Sequence, residues 1–210
     1  MKRCVLICNG SLKDLRFHRD QMKNDDFIIA VDGGANHCHR MGITPNLMLG
    51  DFDSIDKSTM ESFAEVPRIT VPAEKDFTDI ILGIEEAKKR NYKDILILGA
   101  LGGKRIDMEI SNLLLLSRYR ESIEIADDVS SVRCVRAGES IEVSHRQDQY
   151  LSIIPLSPLV KTGKSYGLKY PLEGLEFSFG TTCGISNEII SETAELTILE
   201  GEILLICQKK

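Results

Sequence analysis

The chain has no tryptophan, and aromatic residues make up only 6% of its 210 positions. Any ring stacked on a bound molecule must therefore be Phe, Tyr or His, or else the contact is aliphatic. No apolar run approaches the roughly 20 residues that span a bilayer, so no membrane partner is expected. No basic block interrupts a formal net charge of −6, which argues against nucleic acid as a main partner. The six cysteines (Cys4, Cys8, Cys38, Cys134, Cys183, Cys207) lack metal-knuckle spacing and read as reduced core thiols of a cytoplasmic protein. A Walker motif is missing as well: Gly163-Lys164-Ser165 has its ending, but Pro158 stands where its leading glycine would be. There is no internal repeat and no low-complexity tract. Near the N-terminus, the apolar segment Cys4 to Cys8 gives way to Asn9-Gly10-Ser11, too soon for a signal peptide; it reads as a first strand.

What is present is a composition suited to a globular core, 42% hydrophobic and 28% charged. To about residue 126 the pattern is strand, loop, helix, repeated. Strands are expected at Cys4 to Cys8, Phe27 to Val31, Leu47 to Leu49, Ile69 to Val71, Ile95 to Leu98 and Ile123 to Ile125. The clearest helices are Thr78 to Lys89 and Met108 to Tyr119. In the first of these, Ile80, Ile81, Ile84 and Ala87 keep the helical apolar period. Such alternation predicts an α/β domain, 1–127, with a mostly parallel sheet covered by helices on both faces. From 128 to 210 short runs separated by turn residues predict a small all-β sandwich or barrel, with Gly138-Glu139 and Glu200-Gly201 as hairpin turns.

Four acidic or glycine-rich clusters fall just after expected strands of the first half. Asp32-Gly33-Gly34-Ala35-Asn36 opens a helix, where paired glycines admit close approach and the helix N-terminus favours phosphate. Pro45 to Ser54 holds Asp51 and Asp53 on the end of an apolar run. In an extended chain these two would project together while Phe52 turns into the core; the alternative is a turn in which the aspartates cap their own backbone amides. Gly50 marks a tight bend or a close approach to the main chain.

Lys75-Asp76-Phe77-Thr78-Asp79 sets two carboxylates on one face of a helix start, although Asp76 as N-cap and Asp79 in the first turn would also simply start the helix well. Gly99 to Asp107 joins an amide-rich loop to Lys104, Arg105 and Asp107, a cradle for polyphosphate. Parallel strands would bring all four clusters to one sheet edge. So many carboxylates there ask for a cation, and Mg²⁺ shared with substrate phosphates is the usual answer. The histidines lie outside the clusters, and His37 and His39 read as ordinary surface or helix residues.

These segments, with Asn112 beyond the Gly102-Gly103-x-Arg105-x-Asp107 loop, Gly167 to Leu172, and Gly184-Ile185-Ser186-Asn187-Glu188, resemble the thiamine pyrophosphokinase family over nearly the whole chain. The resemblance implies transfer of pyrophosphate from ATP to the thiamine hydroxyl, and a homodimer with thiamine near the subunit interface. It implies Asp51, Asp53 and Asp79 as Mg²⁺ ligands with Asp76 close by. Asp32, Gly33, Gly34, Ser54, Thr78, Arg105, Gly102, Gly103 and Asn112 would serve the nucleotide, and Ser186 and Asn187 the thiamine pyrimidine. Asp107 or Asp76 would handle the hydroxyl proton. Read as plain residues, Ser186 to Glu188 are polar turn residues. The family commonly has histidine where this chain has Met108. A diphosphokinase for another hydroxymethyl heterocycle, such as a pterin, and a non-catalytic thiamine or nucleotide sensor are the competing readings.

Overall fold

The computed structural model describes residues 2–72, 77–103, 105–145 and 149–210. Lys75, Asp76 and Lys104 lie outside the described residues. The chain divides into two compact units, Met1–Leu115 with Tyr119–Asp128, and Leu116–Arg118 with Val129–Lys210.

The first unit alternates β1 (Arg3–Ile7), α1 (Leu15–Asp20), β2 (Phe27–Val31), α2 (Gly34–Met41), β3 (Leu47–Gly50), α3 (Lys57–Ser62), β4 (Arg68–Thr70), α4 (Asp79–Lys89), β5 (Asp94–Leu98), α5 (Ile106–Leu115) and β6 (Ser122–Ala126). The strands lie in the order β6-β5-β1-β2-β3-β4, each parallel to its neighbour. The expected α/β architecture is what forms, because β1, β2 and β5 are apolar on both faces and must be covered by helices. Val5, Ile7, Ala30, Met48 and Leu98 pack with Ala35, Cys38 and Met41 of α2 in one buried cluster. The chain moves outward from β1 to β4 and then returns through α4 to the other side of β1. That return makes a topological switch point between β1 and β5, where the loops leaving adjacent strands run to different places.

Two element boundaries differ from expectation. Thr78, not Asp76, is the N-cap of α4. Helix α5 begins two residues before Met108, since the Arg105 carbonyl accepts from the amides of Met108 (3.1 Å) and Glu109 (3.2 Å), and Asp107 and Glu109 favour the positive end of the helix. It ends at Leu115 rather than Tyr119; Leu116–Arg118 belong to the second unit.

That second unit is an antiparallel β-sandwich. One sheet contains β7 (Ser130–Arg136), β14 (Glu202–Lys209), β9 (Gln149–Pro155) and β12 (Asn187–Glu188); the other contains β8 (Ser140–Ser144), β13 (Thr193–Glu200), β10 (Leu159–Tyr166) and β11 (Glu176–Ser178). Val135, Leu151, Ile153 and Leu205 of the first sheet pack with Val160, Phe177, Leu196 and Ile198 of the second. The two expected hairpins are corrected here. Gly138-Glu139 joins β7 to β8 and Glu200-Gly201 joins β13 to β14, so each turn carries the chain from one sheet to the other. The two crossings are tied together, the Ala137 amide donating to Gly201 (2.8 Å) and the Gly138 amide to Ile198 (2.8 Å).

All six cysteines are free. Burial pushes the thiols of Cys4, Cys8 and Cys38 up to about 12. Cys134 is half-buried and Cys183 exposed, so the core reading fails at Cys183. His37 and His39 are helix residues of α2, His37 on its buried side, and His18 is buried as well.

Candidate active site

A cleft of about 640 Å³ opens at the switch point. Cys8, Asn9 and Gly10, leaving β1, form one wall, and Gly99, Ala100, Leu101 and Gly103, leaving β5, form the facing one. Val31 and Asp32 come from the end of β2; Phe77 to Ile80, at the start of α4, and Arg105, Met108, Glu109 and Asn112, at and within α5, supply side chains. The walls are stitched at their base: the Cys8 amide donates to Leu98 (2.8 Å), Gly10 to Gly99 (2.7 Å) and Ser11 to Leu101 (3.2 Å).

The acidic side of the cleft is built on Asp32. Its carboxyl is pushed up to about 6, first by burial, then by a hydrogen bond and repulsion from Asp79 and by the charge of Asp51, while the Asp51 amide (3.0 Å) opposes the rise. Two carboxyls, one at the end of β2 and one opening α4, thus meet within hydrogen-bonding reach, with a third nearby. Gly50 explains itself here: at φ +149° it passes so close that a Cβ would stand 1.7 Å from Asp32 Oδ1.

The chain does not stay extended through the Asp51/Asp53 pair. Phe52 adopts φ +67° and packs on the core, as expected of it, while the Asp53 amide donates to Asp51 Oδ1 (3.2 Å). This is the self-capping turn, and it leaves Asp53 exposed. Among the described residues no three His, Cys, Asp or Glu side chains are grouped to hold a metal by themselves. Mg²⁺ fits nonetheless, because it takes one or two carboxylates and completes its shell with phosphate and water oxygens. The raised Asp32 carboxyl, crowded by Asp79 and Asp51, marks where surplus negative charge gathers.

On the opposite side Arg105 holds Asp107 in a fork, Nε to Oδ1 at 2.9 Å and Nη2 to Oδ2 at 2.5 Å. The guanidinium hydrogen bond and charge hold the Asp107 carboxyl down at about 2, which makes it a poor proton acceptor as it stands. Asn112 is buried and its amide donates to the Ala100 carbonyl (2.9 Å), pinning the glycine loop. Thr78 caps α4 without a side-chain capping bond.

Other expected residues do not line the cleft. A Cβ on Gly34 would lie 1.8 Å from the Ile7 carbonyl oxygen, and one on Gly33 2.3 Å from Asn9 Oδ1; both glycines serve the packing of α2 against β1. Gly102 supplies a φ of +70° for the loop. The Ser54 carbonyl accepts from Asn36 (3.0 Å). In the second unit Asn187 is buried, its amide bonding both the N–H (3.0 Å) and the carbonyl (2.7 Å) of Tyr170. Ser186 beside it is exposed at φ +62°. Asn9, Gly10, Phe77 and Glu109 line the cleft and were missed as site residues. The signal for the first two was the Asn-Gly pair directly after the first strand.

The family model described as thiamin pyrophosphokinase, catalytic domain, matches residues 18–126, and the one described as thiamin pyrophosphokinase, vitamin B1 binding domain, matches residues 139–201. The chain belongs to the thiamin pyrophosphokinase family. It is 31% identical to a thiamine pyrophosphokinase of Bacillus subtilis, over 85% of each chain. A Caenorhabditis elegans relative is 28% identical over 89% of this chain and 82% of its own. Among solved structures, the thiamin pyrophosphokinase of Geobacillus thermodenitrificans superimposes with a TM-score of 0.87 at 30% identity, covering 100% of this chain and 98% of that one. No helix among the described residues is long and apolar enough to cross a membrane.

Proposed function

We propose that this chain transfers the pyrophosphoryl group of ATP to the hydroxyl of thiamine, releasing AMP, and that Asp51, Asp53 and Asp79 hold Mg²⁺. The observation that carries the reading is the Asp32–Asp79 carboxyl pair on one side of a glycine-walled cleft at the switch point of a parallel sheet. Bound Mg²⁺ would offset the charge of the triphosphate. The amides about Gly103, the Thr78 hydroxyl and Arg105 bind and orient the phosphates, and Arg105 also meets charge that grows on the group in transfer. Asp107 serves to hold Arg105 rather than to take the hydroxyl proton.

Met108, where the family commonly has histidine, lines the cleft and moves no proton; with Phe77 it gives the mouth an apolar lip. Ser186 meets the thiamine pyrimidine, and Asn187, spent on Tyr170, shapes that contact. The active form is a cytoplasmic homodimer.

The test is to incubate the pure protein with ATP, Mg²⁺ and thiamine. AMP and thiamine diphosphate are the expected products. ADP would reveal an ordinary monophosphoryl kinase, and no nucleotide turnover a sensor. Asp51→Asn should lower turnover about 100-fold or more, the scale of losing a main charge-stabilising group, with an unchanged melting curve. Full activity in that variant would reject the metal assignment.

A further inference from the structure

His37 lies on the inner side of α2, only 6% exposed, and both of its ring nitrogens are engaged. Nδ1 is 2.5 Å from the Arg40 guanidinium, and Nε2 is 2.8 Å from the Gly10 carbonyl oxygen. A guanidinium only donates and a carbonyl only accepts, so the ring must be neutral with its proton on Nε2. Burial and the Arg40 charge both disfavour a second proton.

Gly10 is the residue where the two cleft walls meet. Its amide donates to Gly99 (2.7 Å), and a Cβ there would stand 2.3 Å from the Gly99 oxygen. Its carbonyl has His37 as partner, which turns the negative end of that peptide away from the space assigned to phosphate. Asn9, one residue earlier, is exposed in the cleft.

We infer that His37, with its tautomer set by Arg40, is a positioning residue for the nucleotide, holding Gly10 and therefore Asn9 in the geometry that receives the phosphates of ATP. This rests on the assignment of the cleft to ATP given above. Removing the imidazole leaves the Gly10 carbonyl without this partner, so that its peptide is held only by the 3.2 Å bond from the Ser11 amide to Leu101. The loss touches nucleotide binding and leaves the thiamine contacts alone.

The experiment measures ATP binding by calorimetry, and KM and kcat for ATP and thiamine, in wild type, His37→Ala, His37→Gln and Arg40→Ala. The Gln side-chain amide reaches about as far as Nε2 of histidine and can donate the same bond. For His37→Ala the KM for Mg-ATP should rise about fivefold or more, the equivalent of one hydrogen bond, with kcat and the thiamine KM within about twofold. His37→Gln should restore ATP binding.

An unchanged ATP affinity in His37→Ala would overturn the inference. So would a Gln variant no better than Ala, or parallel losses for both substrates. If His37→Ala fails to fold, Arg40→Ala decides on an exposed residue: weaker ATP binding at unchanged thiamine KM supports the inference, and wild-type ATP binding overturns it. Failure of the wild type to form AMP would instead sink the functional reading, while calorimetry with ATP alone still tests His37.

Discussion

Replacing Gly34 with alanine sets two effects of opposite sign against each other. As the first residue of α2, Gly34 should by helix propensity gain up to about 1 kcal/mol on becoming alanine. Packing says otherwise, because the new Cβ would lie 1.8 Å from the Ile7 carbonyl oxygen and 2.6 Å from its carbon. Both atoms are backbone of β1, whose neighbours are paired on either side, so they cannot swing away. The helix must retreat by more than an ångström, and that lifts Ala35, Cys38 and Met41 from the cluster they share with Val5 and Ile7. Overpacking of this kind costs about 1–3 kcal/mol when the surroundings can yield, and here they are backbone, so the upper end applies.

The net expectation is a loss of about 2 kcal/mol, or roughly 4–8 °C in the melting of the α/β unit at 2–4 °C per kcal/mol for a chain of this size. Because Asp32 precedes α2 by two residues, the carboxyl pair should also be displaced, raising the KM for ATP. Thermal melts followed by circular dichroism check the first expectation and initial-rate kinetics the second. A variant as stable as wild type would refute the packing argument, since propensity alone would then have prevailed.

Three further outcomes are expected. The Asp32 carboxyl sits at about 6 against an ordinary 3.8, so the folded chain keeps a proton that the unfolded one sheds. Stability without Mg²⁺ should therefore fall as pH rises through this window, by on the order of 1 kcal/mol after solvent screening; urea midpoints that keep the same slope in Asp32→Asn would refute it. Burial would raise the Asp128 carboxyl, but the bond to His18 (2.6 Å), its charge and the amides of Asp14 and Lys13 hold it below its ordinary range. This contribution is full above the ordinary carboxylate range and is lost as pH falls through the lowered value; Asp128→Asn should cost about 1–2 kcal/mol at neutral pH and flatten the acid side of the stability profile. Asn187→Ala should destabilise the sandwich by about 1–2 kcal/mol, since it removes a buried side chain and its bonds to the Tyr170 N–H and carbonyl, as read from denaturant midpoints.

Much of the fold was legible because the signals were local. Phe27 to Val31 and Ile95 to Leu98 are unbroken apolar runs of strand length, and Ile80, Ile84 and Ala87 repeat at helical spacing. The order of the strands was not legible, since it depends on β5 returning beside β1, a contact between residues some ninety apart. For that reason Asn9 and Gly10 read only as the end of the first apolar segment, although they line the cleft. The turns at Gly138 and Gly201 were recognised by their chemistry, which marks a reversal but does not say whether the next strand joins the same sheet. Gly33 and Gly34 show a deeper ambiguity. A glycine that admits a ligand and a glycine that admits a neighbouring strand both work by lacking a Cβ, and only coordinates separate them.

The acidic pair shows why such a site is conditionally stable. Asp32 is held by backbone at both ends of the problem: its own φ of +46° turns the chain at the end of β2, and the Asp51 amide fixes its oxygen. It cannot move away from Asp79 without breaking that amide bond and refilling the space beside Gly50. With repulsion unavoidable and retreat blocked, the chain takes up a proton instead. Anything that binds only the folded form and supplies positive charge should displace this proton and raise stability by mass action. Titration of the ligand-free protein with Mg²⁺ and a non-hydrolysable ATP analogue together should therefore release protons at pH 6 and raise the melting temperature. The Asp79→Asn variant should do neither; proton release unaffected by that substitution would show that the shared carboxyls are not where the complex forms.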